Sequence, residues 1–139
     1  MTIVAPQFRW LDEHSVHIAE FDEDHKRLFD TINELDAAVR DKEPPATIDR
    51  ILDKLVNYAI SHVGAEEALM EKHGFPGLAE HKTHHALFRR KVAGFAVDHQ
   101  ADPSGVPAEL FDFMKTWLKT HVLEMDRLYA PFLNARGVR

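Results

Sequence analysis

The sequence predicts an all-α protein: an antiparallel up-down-up-down four-helix bundle with an N-terminal arm. Apolar residues recur at spacings of three and four along four segments, which is the period of an amphipathic helix. Prolines and glycines separate these segments, and no stretch of useful length alternates polar and apolar residues as a strand would. Helices of roughly 20 residues with short connections pack best as antiparallel neighbours, which gives the up-down-up-down order.

The arm covers residues 1–19 and has no clear period, and we expect Trp10 to pack it against the body. The bundle covers residues 20–130. Its first helix ends at Pro44 and Pro45, and Thr47 or a nearby residue can start the next. The inward stripe of the first helix consists of Phe21, His25, Leu28, Phe29, Ile32 and Val39.

The three later helices follow the same period. The second is expected over roughly residues 46–72, with the stripe Ile48, Ile51, Leu55, Tyr58, His62, Glu66 and Leu69. After a turn at residues 74–77, the third carries the stripe Leu78, His81, His85, Phe88, Val92 and Phe95 and ends before the loop at residues 102–105. The fourth is limited by Pro131 and has the stripe Leu110, Met114, Trp117, His121, Met125 and Leu128.

Length and composition exclude several classes of protein. The 139 residues fit one domain over residues 1–139, and 45% hydrophobic with 29% charged residues is an ordinary globular composition. A net charge of −6 without a basic stretch argues against a nucleic-acid partner. The absence of cysteine excludes disulfides, zinc–thiolate sites, iron–sulfur clusters and thiol catalysis. No apolar run approaches the roughly 18 residues of a membrane span, and no signal peptide is apparent, so we expect a cytoplasmic protein without a membrane partner.

Potential metal ligands occupy inward positions on all four helices. A charge or an imidazole on an apolar face is costly without a partner, and residues four apart on a helix can reach one metal or one metal pair. Donors directed inward from four helices describe a dinuclear metal site in a bundle core. The candidate ligands are His25, His62, Glu66, His81, His85, His121 and Asp126. Five histidines and two carboxylates form a nitrogen-rich set, which suits iron or another imidazole-binding transition metal rather than calcium or magnesium.

Simpler interpretations exist for each group alone. A lone inward histidine can be a hydrogen-bonded core residue, and an i, i+4 pair can lie on the surface. The joint placement on four inward stripes favours the metal interpretation. The remaining histidines lie in the arm, on the flank of a stripe or near helix ends: His14, His17, His73, His84 and His99. We expect His85 rather than His84 to be the ligand, because His85 lies nearer the centre of its stripe, whereas His73 adjoins Gly74 and can cap the second helix.

The spacing of His121 and Asp126 is irregular. Residues five apart differ by about 140° around an ideal α-helix, but a π-type turn would bring Asp126 inward, and such turns favour functional sites. A one-residue bulge would also return Tyr129 to the inner face. Alternatively, Asp126 faces water, and the spacing alone leaves both interpretations open.

From about Trp10 to Tyr129 the chain resembles a single-domain bacterial hemerythrin. The resemblance depends on a lone histidine followed by H-x3-E, H-x3-H and H-x4-D, with all seven positions in order at family-like separations. The matching segments read DEDHK from residue 22, HVGAEE from residue 62, HKTHH from residue 81 and WLKTH from residue 117, followed by Asp126.

The resemblance implies a left-twisted four-helix bundle around two irons. One iron would be held by His81, His85 and His121, and the other by His25 and His62. Glu66 and Asp126 would bridge the irons together with an oxo or hydroxo group. The iron with two histidines then has a free position for dioxygen. Three departures from the family pattern bear on oxygen affinity and autoxidation rather than on the ligand set: His17 for glycine, Val63 for an aromatic residue and His73 for tyrosine.

The function that the resemblance implies is reversible dioxygen binding for storage, delivery or sensing, without an enzyme activity. No catalytic base, nucleophile or substrate cleft stands outside the metal set. We expect a monomer and an apolar pocket for a small uncharged ligand, lined by Leu118, Trp117, Phe29 and Met114.

Two alternatives stay open. One is a di-iron oxidase, peroxidase or nitric-oxide-handling enzyme, although a histidine-rich set better fits reversible binding. The other is a sensor module, whose output would pass to a separate protein partner.

Overall fold

Four antiparallel helical rods form the bundle in the computed structural model, which describes residues 8–139. The helices are α1 (Ala19–Arg40), α2 (Pro45–Lys72), α3 (Leu78–Ala101), α4 (Val106–Trp117) and α5 (Asp126–Asn134). A π-helical segment, Leu118–Met125, joins α4 to α5, so that these three form one continuous fourth rod. The described residues contain no strand, and none of their helices has the length and apolarity needed to cross a membrane. The predicted fold class is therefore confirmed.

Each rod packs against two neighbours: α1 against α2 and α4, and α3 against α2 and α4. The apolar core has two parts, one on each side of a layer of buried polar residues. The larger part fills most of the bundle and includes Leu35, Ile51, Phe88 and Leu110. The smaller part closes one end with Val16, Ile18, Phe21, Met70, Tyr129, Ala130 and Leu133. This arrangement surrounds the polar layer with apolar side chains on both sides.

The turn after α2 shows why the helix ends where it does. His73 is the C-cap residue, and Gly74 follows with φ 69°, a left-handed conformation that glycine adopts without steric cost. The amide of Phe75 donates to the carbonyl of Met70, and the amide of Gly74 donates to the carbonyl of Glu71. These two bonds form a Schellman motif, which satisfies carbonyls that the helix would otherwise leave unpaired. His73 therefore does lie at the cap, as its position beside Gly74 indicated.

The fourth rod corrects two expectations. Pro131 does not limit the helix, since α5 continues to Asn134 with Pro131 inside it. The missing amide of Pro131 costs one backbone hydrogen bond, and burial of Leu133 beyond it favours continuation of the helix. The helical period predicts Leu128 on the inward stripe, but Leu128 is 62% exposed. The π-helical segment shifts the helical phase by one residue, so Tyr129 faces inward instead and is fully buried.

The arm contributes to the core, although its sequence shows no period. Residues 1–7 of the predicted arm lie outside the described residues. The backbone of Phe8 exchanges two hydrogen bonds with the side-chain amide of Asn33, and the Trp10 ring packs edge-on against Phe29 with ring centroids 5.5 Å apart. His17 has φ 56°, a left-handed conformation that costs a non-glycine residue roughly 1–2 kcal/mol. This is the arm position at which the family pattern has glycine.

Candidate metal centre

All seven candidate ligands point into the polar layer of the bundle. Each is at most 2% exposed, and their donor atoms form two overlapping groups. One group comprises Glu66, His81, His85, His121 and Asp126, and the other comprises His25, His62, Glu66 and Asp126. Within each group the donor atoms lie within 4.8 Å of one another. The arrangement therefore offers two adjacent metal positions that share both carboxylates.

Distances between the imidazole nitrogens fit metal coordination. The Nε2 atoms of His25 and His62 lie 3.1 Å apart, and so do those of His85 and His121. Two nitrogens bound at right angles to one transition-metal ion, each at about 2.1 Å, would lie about 3.0 Å apart. The paired imidazoles thus have the separation that neighbouring ligands of a single ion require.

The carboxylates lie between the two groups of histidines. Asp126 approaches the Nε2 atoms of His81, His121 and His25 at 2.8, 3.0 and 3.1 Å. Glu66 lies 3.4 Å from Nε2 of both His62 and His85, through different oxygens. Glu66 Oε1 and Asp126 Oδ2 are nevertheless buried without a well-formed hydrogen bond. Since buried carboxylate oxygens are costly when unpaired, this donor set fits a cation between them.

The π-helical segment places Asp126 in the cluster. Its backbone bonds span five residues, so a residue five positions after His121 returns to the same face. Asp126 is fully buried as a result, and the water-facing interpretation of this residue is wrong. The same phase shift brings Tyr129 inward, where its hydroxyl donates a hydrogen bond to Glu66.

Two acids outside the candidate ligand set contact two of the histidines. Asp24 Oδ2 lies 2.8 Å from Nδ1 of His62, and Glu67 Oε2 lies 2.8 Å from Nδ1 of His85. Such a partner fixes the tautomer that leaves Nε2 free to bind metal and makes the imidazole more basic. Each acid also contacts a surface guanidinium, Arg27 for Asp24 and Arg89 for Glu67. In each half of the site, therefore, one histidine is linked through an acid to an arginine on the surface.

The pKa values show strong electrostatic coupling in the metal-free cluster. Burial disfavours charge on His62, but Glu66 and Asp24 outweigh it and raise the pKa of His62 to about 10. Burial and Asp126 oppose ionisation of Glu66, yet the neighbouring imidazoles, His62 foremost, hold its pKa at about 2. Burial lowers the pKa of His121 below its ordinary value. A metal ion that binds here must therefore displace a proton from His62.

The remaining histidines lie outside the cluster. His84 is exposed, whereas its neighbour His85 is fully buried and faces the site. His99 lies in the last turn of α3, as expected, but it is buried and paired with Asp49 through Nδ1 at 2.8 Å. This pair lies at the opposite end of the bundle from Tyr129.

The four predicted pocket residues lie together on one side of the polar layer. Trp117 stacks on His121 with ring centroids 4.0 Å apart and an interplanar angle of 10°. Leu118, Phe29 and Met114 are buried in the same apolar cluster as Trp117. Their contact with a ligand stays a prediction.

Sequence reasoning missed four functional candidates: Asp24, Glu67, Tyr58 and Tyr129 as groups that interact with the ligand set. A usable signal existed for the two acids. Each acid is adjacent in sequence to an inward ligand. A residue next to an inward one lies about 100° around the helix, on the flank that meets a neighbouring helix. Tyr58 gave no such signal, because a hydroxyl on an apolar stripe looks like core. For Tyr129 the sequence indicated an inward direction only if the helix contained a bulge.

Comparisons with known proteins extend over nearly the whole chain. The sequence matches the Hemerythrin HHE cation binding domain over residues 16–133. It is 37% identical over 120 residues to a bacteriohemerythrin of Pseudomonas aeruginosa, covering 86% of this chain and 77% of that protein. A bacteriohemerythrin of Stenotrophomonas maltophilia is 32% identical over 126 residues, covering 91% of this chain and 81% of its own. The crystal structure of a wild-type hemerythrin aligns with a TM-score of 0.76 at 30% identity, covering 96% of this chain and 97% of that one.

Proposed function

The chain belongs to the hemerythrin family of non-heme di-iron oxygen-binding proteins, and from that premise we propose that it binds dioxygen reversibly at a pair of irons. One domain that spans the bundle would perform this function. The role would be storage, delivery or sensing of oxygen. When bound, the irons would supply the electrons and the open coordination position that dioxygen requires.

One observation carries the proposal: the histidines divide three against two around the shared carboxylates. One metal position would have His81, His85 and His121, and the other would have His25 and His62. Glu66 and Asp126 would bridge both positions. With the same bridges on each side, the position held by two histidines is one ligand short. This asymmetry supports binding of a small ligand on the His25 and His62 side.

The residues around the cluster support reversible binding rather than release of a reduced product. Leu118 and Trp117 are at most 4% exposed, and Phe29 and Met114 belong to the same buried cluster. These side chains would exclude water and outside reductants from the ligand. Asp24 and Glu67 would hold the tautomers of His62 and His85 that direct Nε2 at the metals.

Metal analysis tests the di-iron site directly. Protein expressed with iron should contain two irons per chain, because seven ligands in two overlapping groups suffice for two ions. Protein that takes up one zinc ion and no iron under the same conditions would contradict the proposal.

A further inference from the structure

Two buried hydrogen-bond donors near the metal layer, both outside the candidate ligand set, have no partner among the described residues. They are the Tyr58 hydroxyl and the Trp117 indole nitrogen. A buried polar group without a partner costs roughly 1–3 kcal/mol, so its retention in a well-packed core requires an explanation. The cluster geometry described above uses neither atom.

Both rings lie directly on proposed metal ligands. Tyr58 stacks on His62 with ring centroids 4.9 Å apart and an interplanar angle of 23°. Trp117 stacks on His121, and both rings also contact Phe88. Tyr58 is one turn before His62, and Trp117 is one turn before His121, so each ring stands on the same side of its imidazole. Glu66 and Asp126 follow their histidines and lie on the other side.

Because both rings contact Phe88, their polar tips lie in the same part of the core. A tyrosine hydroxyl is an O–H donor at neutral pH, and an indole nitrogen can only donate. Neither satisfies the other with a well-formed bond. Two donors thus lie in one part of the core without an acceptor among the described residues.

Tyr58 also lies between this part of the core and the outside. Its ring is half-buried, and together with His62 it lines a groove of about 480 Å³ between α1 and α2. Arg27 and Lys54 lie along the same groove. The ring thus separates solvent from the metal layer, with its hydroxyl on the inner side.

We propose that Tyr58 and Trp117 donate hydrogen bonds to a small ligand that binds the metal pair at the His62 side. The ligand class is a small hydrogen-bond acceptor, such as azide or dioxygen. The side chains named as an apolar pocket would then enclose a site with two directed donors. This inference rests on the proposed function, because it needs the metal pair to hold the ligand.

Azide titration of the iron-loaded protein tests the inference. Tyr58→Phe removes only the hydroxyl, so it should keep iron but bind azide about tenfold more weakly, as expected for loss of a hydrogen bond to a charged acceptor. Equal azide affinity in wild type and Tyr58→Phe would overturn the inference while the proposed function stands. Wild-type protein that binds two irons but no azide would also overturn the inference, whereas protein without two irons would contradict the proposed function.

A second readout uses the metal-free protein. Because the Tyr58 hydroxyl has no partner there, Tyr58→Phe should leave the unfolding midpoint unchanged or raise it. Tyr129→Phe is the matched control, since it removes a hydroxyl that donates to Glu66 and should lower the midpoint. A lower midpoint for Tyr58→Phe would show that the hydroxyl is already satisfied, which overturns the inference.

The wild-type protein provides a measurement that needs no variant. The infrared stretch of bound azide should shift between H₂O and D₂O, because the hydroxyl and indole protons exchange. An unshifted band would mean that no exchangeable donor touches the ligand, and it would overturn the inference even if Tyr58→Phe failed to fold.

Discussion

His121 Nε2 lies 3.0 Å from Asp126 Oδ1, although Asp126 follows His121 by five positions along the chain. In an α-helix the two side chains would diverge by about 140°. The π-helical segment between them removes that divergence. One local change in helical winding thus completes the cluster and also turns Tyr129 onto Glu66.

Deletion of Glu124 should preserve the site. The residue is exposed within the π-helical segment, and its loss would convert the spacing of His121 and Asp126 to four, which an ordinary α-helix places on one face. Insertion of one alanine after Glu124 should instead turn Asp126 away by about 100°. Metal analysis should find two irons in the deletion variant and loss of the pair in the insertion variant. The opposite pattern would show that the π winding does not set the position of Asp126.

Replacement of Glu66 with alanine should remove both irons, because a shared carboxylate serves both metal positions. His84→Ala is the control, since His84 is exposed and lies one residue before a candidate ligand. We expect two irons per chain in His84→Ala and none or nearly none in Glu66→Ala. Iron loss in the His84 variant would mean that His84, and not its neighbour His85, binds the metal.

Leu118→Ala should speed autoxidation severalfold without changing iron content. Leu118 is 2% exposed and lies three residues before His121, so its removal would admit water to the metal side of the pocket. A buried leucine-to-alanine change also costs about 2–5 kcal/mol of stability. Leu110→Ala, a fully buried change in α4 farther from the cluster, controls for that loss. Equal autoxidation rates in Leu118→Ala and wild type would remove Leu118 from the pocket wall.

The metal-free protein should lose stability as the pH rises from 6.5 to 10. His62 has a folded pKa of about 10 against an ordinary value of 6.5. Below pH 6.5 both folded and unfolded chains hold this proton, so its ion pairs contribute fully. Between these values only the unfolded chain releases the proton, and the contribution disappears. The raised pKa of His85 acts in the same direction.

Urea unfolding with a chelator at pH 6.5 and pH 10 measures this change. Asp24→Asn should reduce the difference, because Asp24 helps to raise the pKa of His62. A free energy of unfolding that is equal at both pH values, or higher at pH 10, would contradict the assignment of the proton to His62.

The sequence alone was enough to predict the four rods, because their apolar stripes have a helical period and prolines or glycines mark the turns. The inward direction of six candidate ligands followed from the same stripes, whereas the spacing of Asp126 left its direction open until the π-helical segment was seen. The end of the fourth rod could not be predicted, since proline usually stops a helix and only burial of Leu133 favours continuation past Pro131. The helical period placed Leu128 inward, whereas the structure places Tyr129 there. A π turn shifts the phase of the helix by one residue, and the amino-acid composition of the segment does not reveal it.

The supporting residues of the site were harder to predict. Asp24 and Glu67 acquire their roles only when a neighbouring helix brings His62 and His85 within 2.8 Å. Contacts across helices depend on register and rotation, which one helix's sequence does not specify. The unpaired Tyr58 hydroxyl could not be predicted for the same reason. Only the packed bundle shows that it lacks a partner among the described residues.

Optical spectra through repeated cycles of deoxygenation and reoxygenation test the central claim most directly. The iron-loaded protein should gain an oxygen-dependent visible absorption in air, lose it when oxygen is removed and regain it over several cycles. Irreversible conversion in the first cycle to a ferric form that no longer responds to oxygen would contradict reversible binding, and it would favour an oxidase or peroxidase instead.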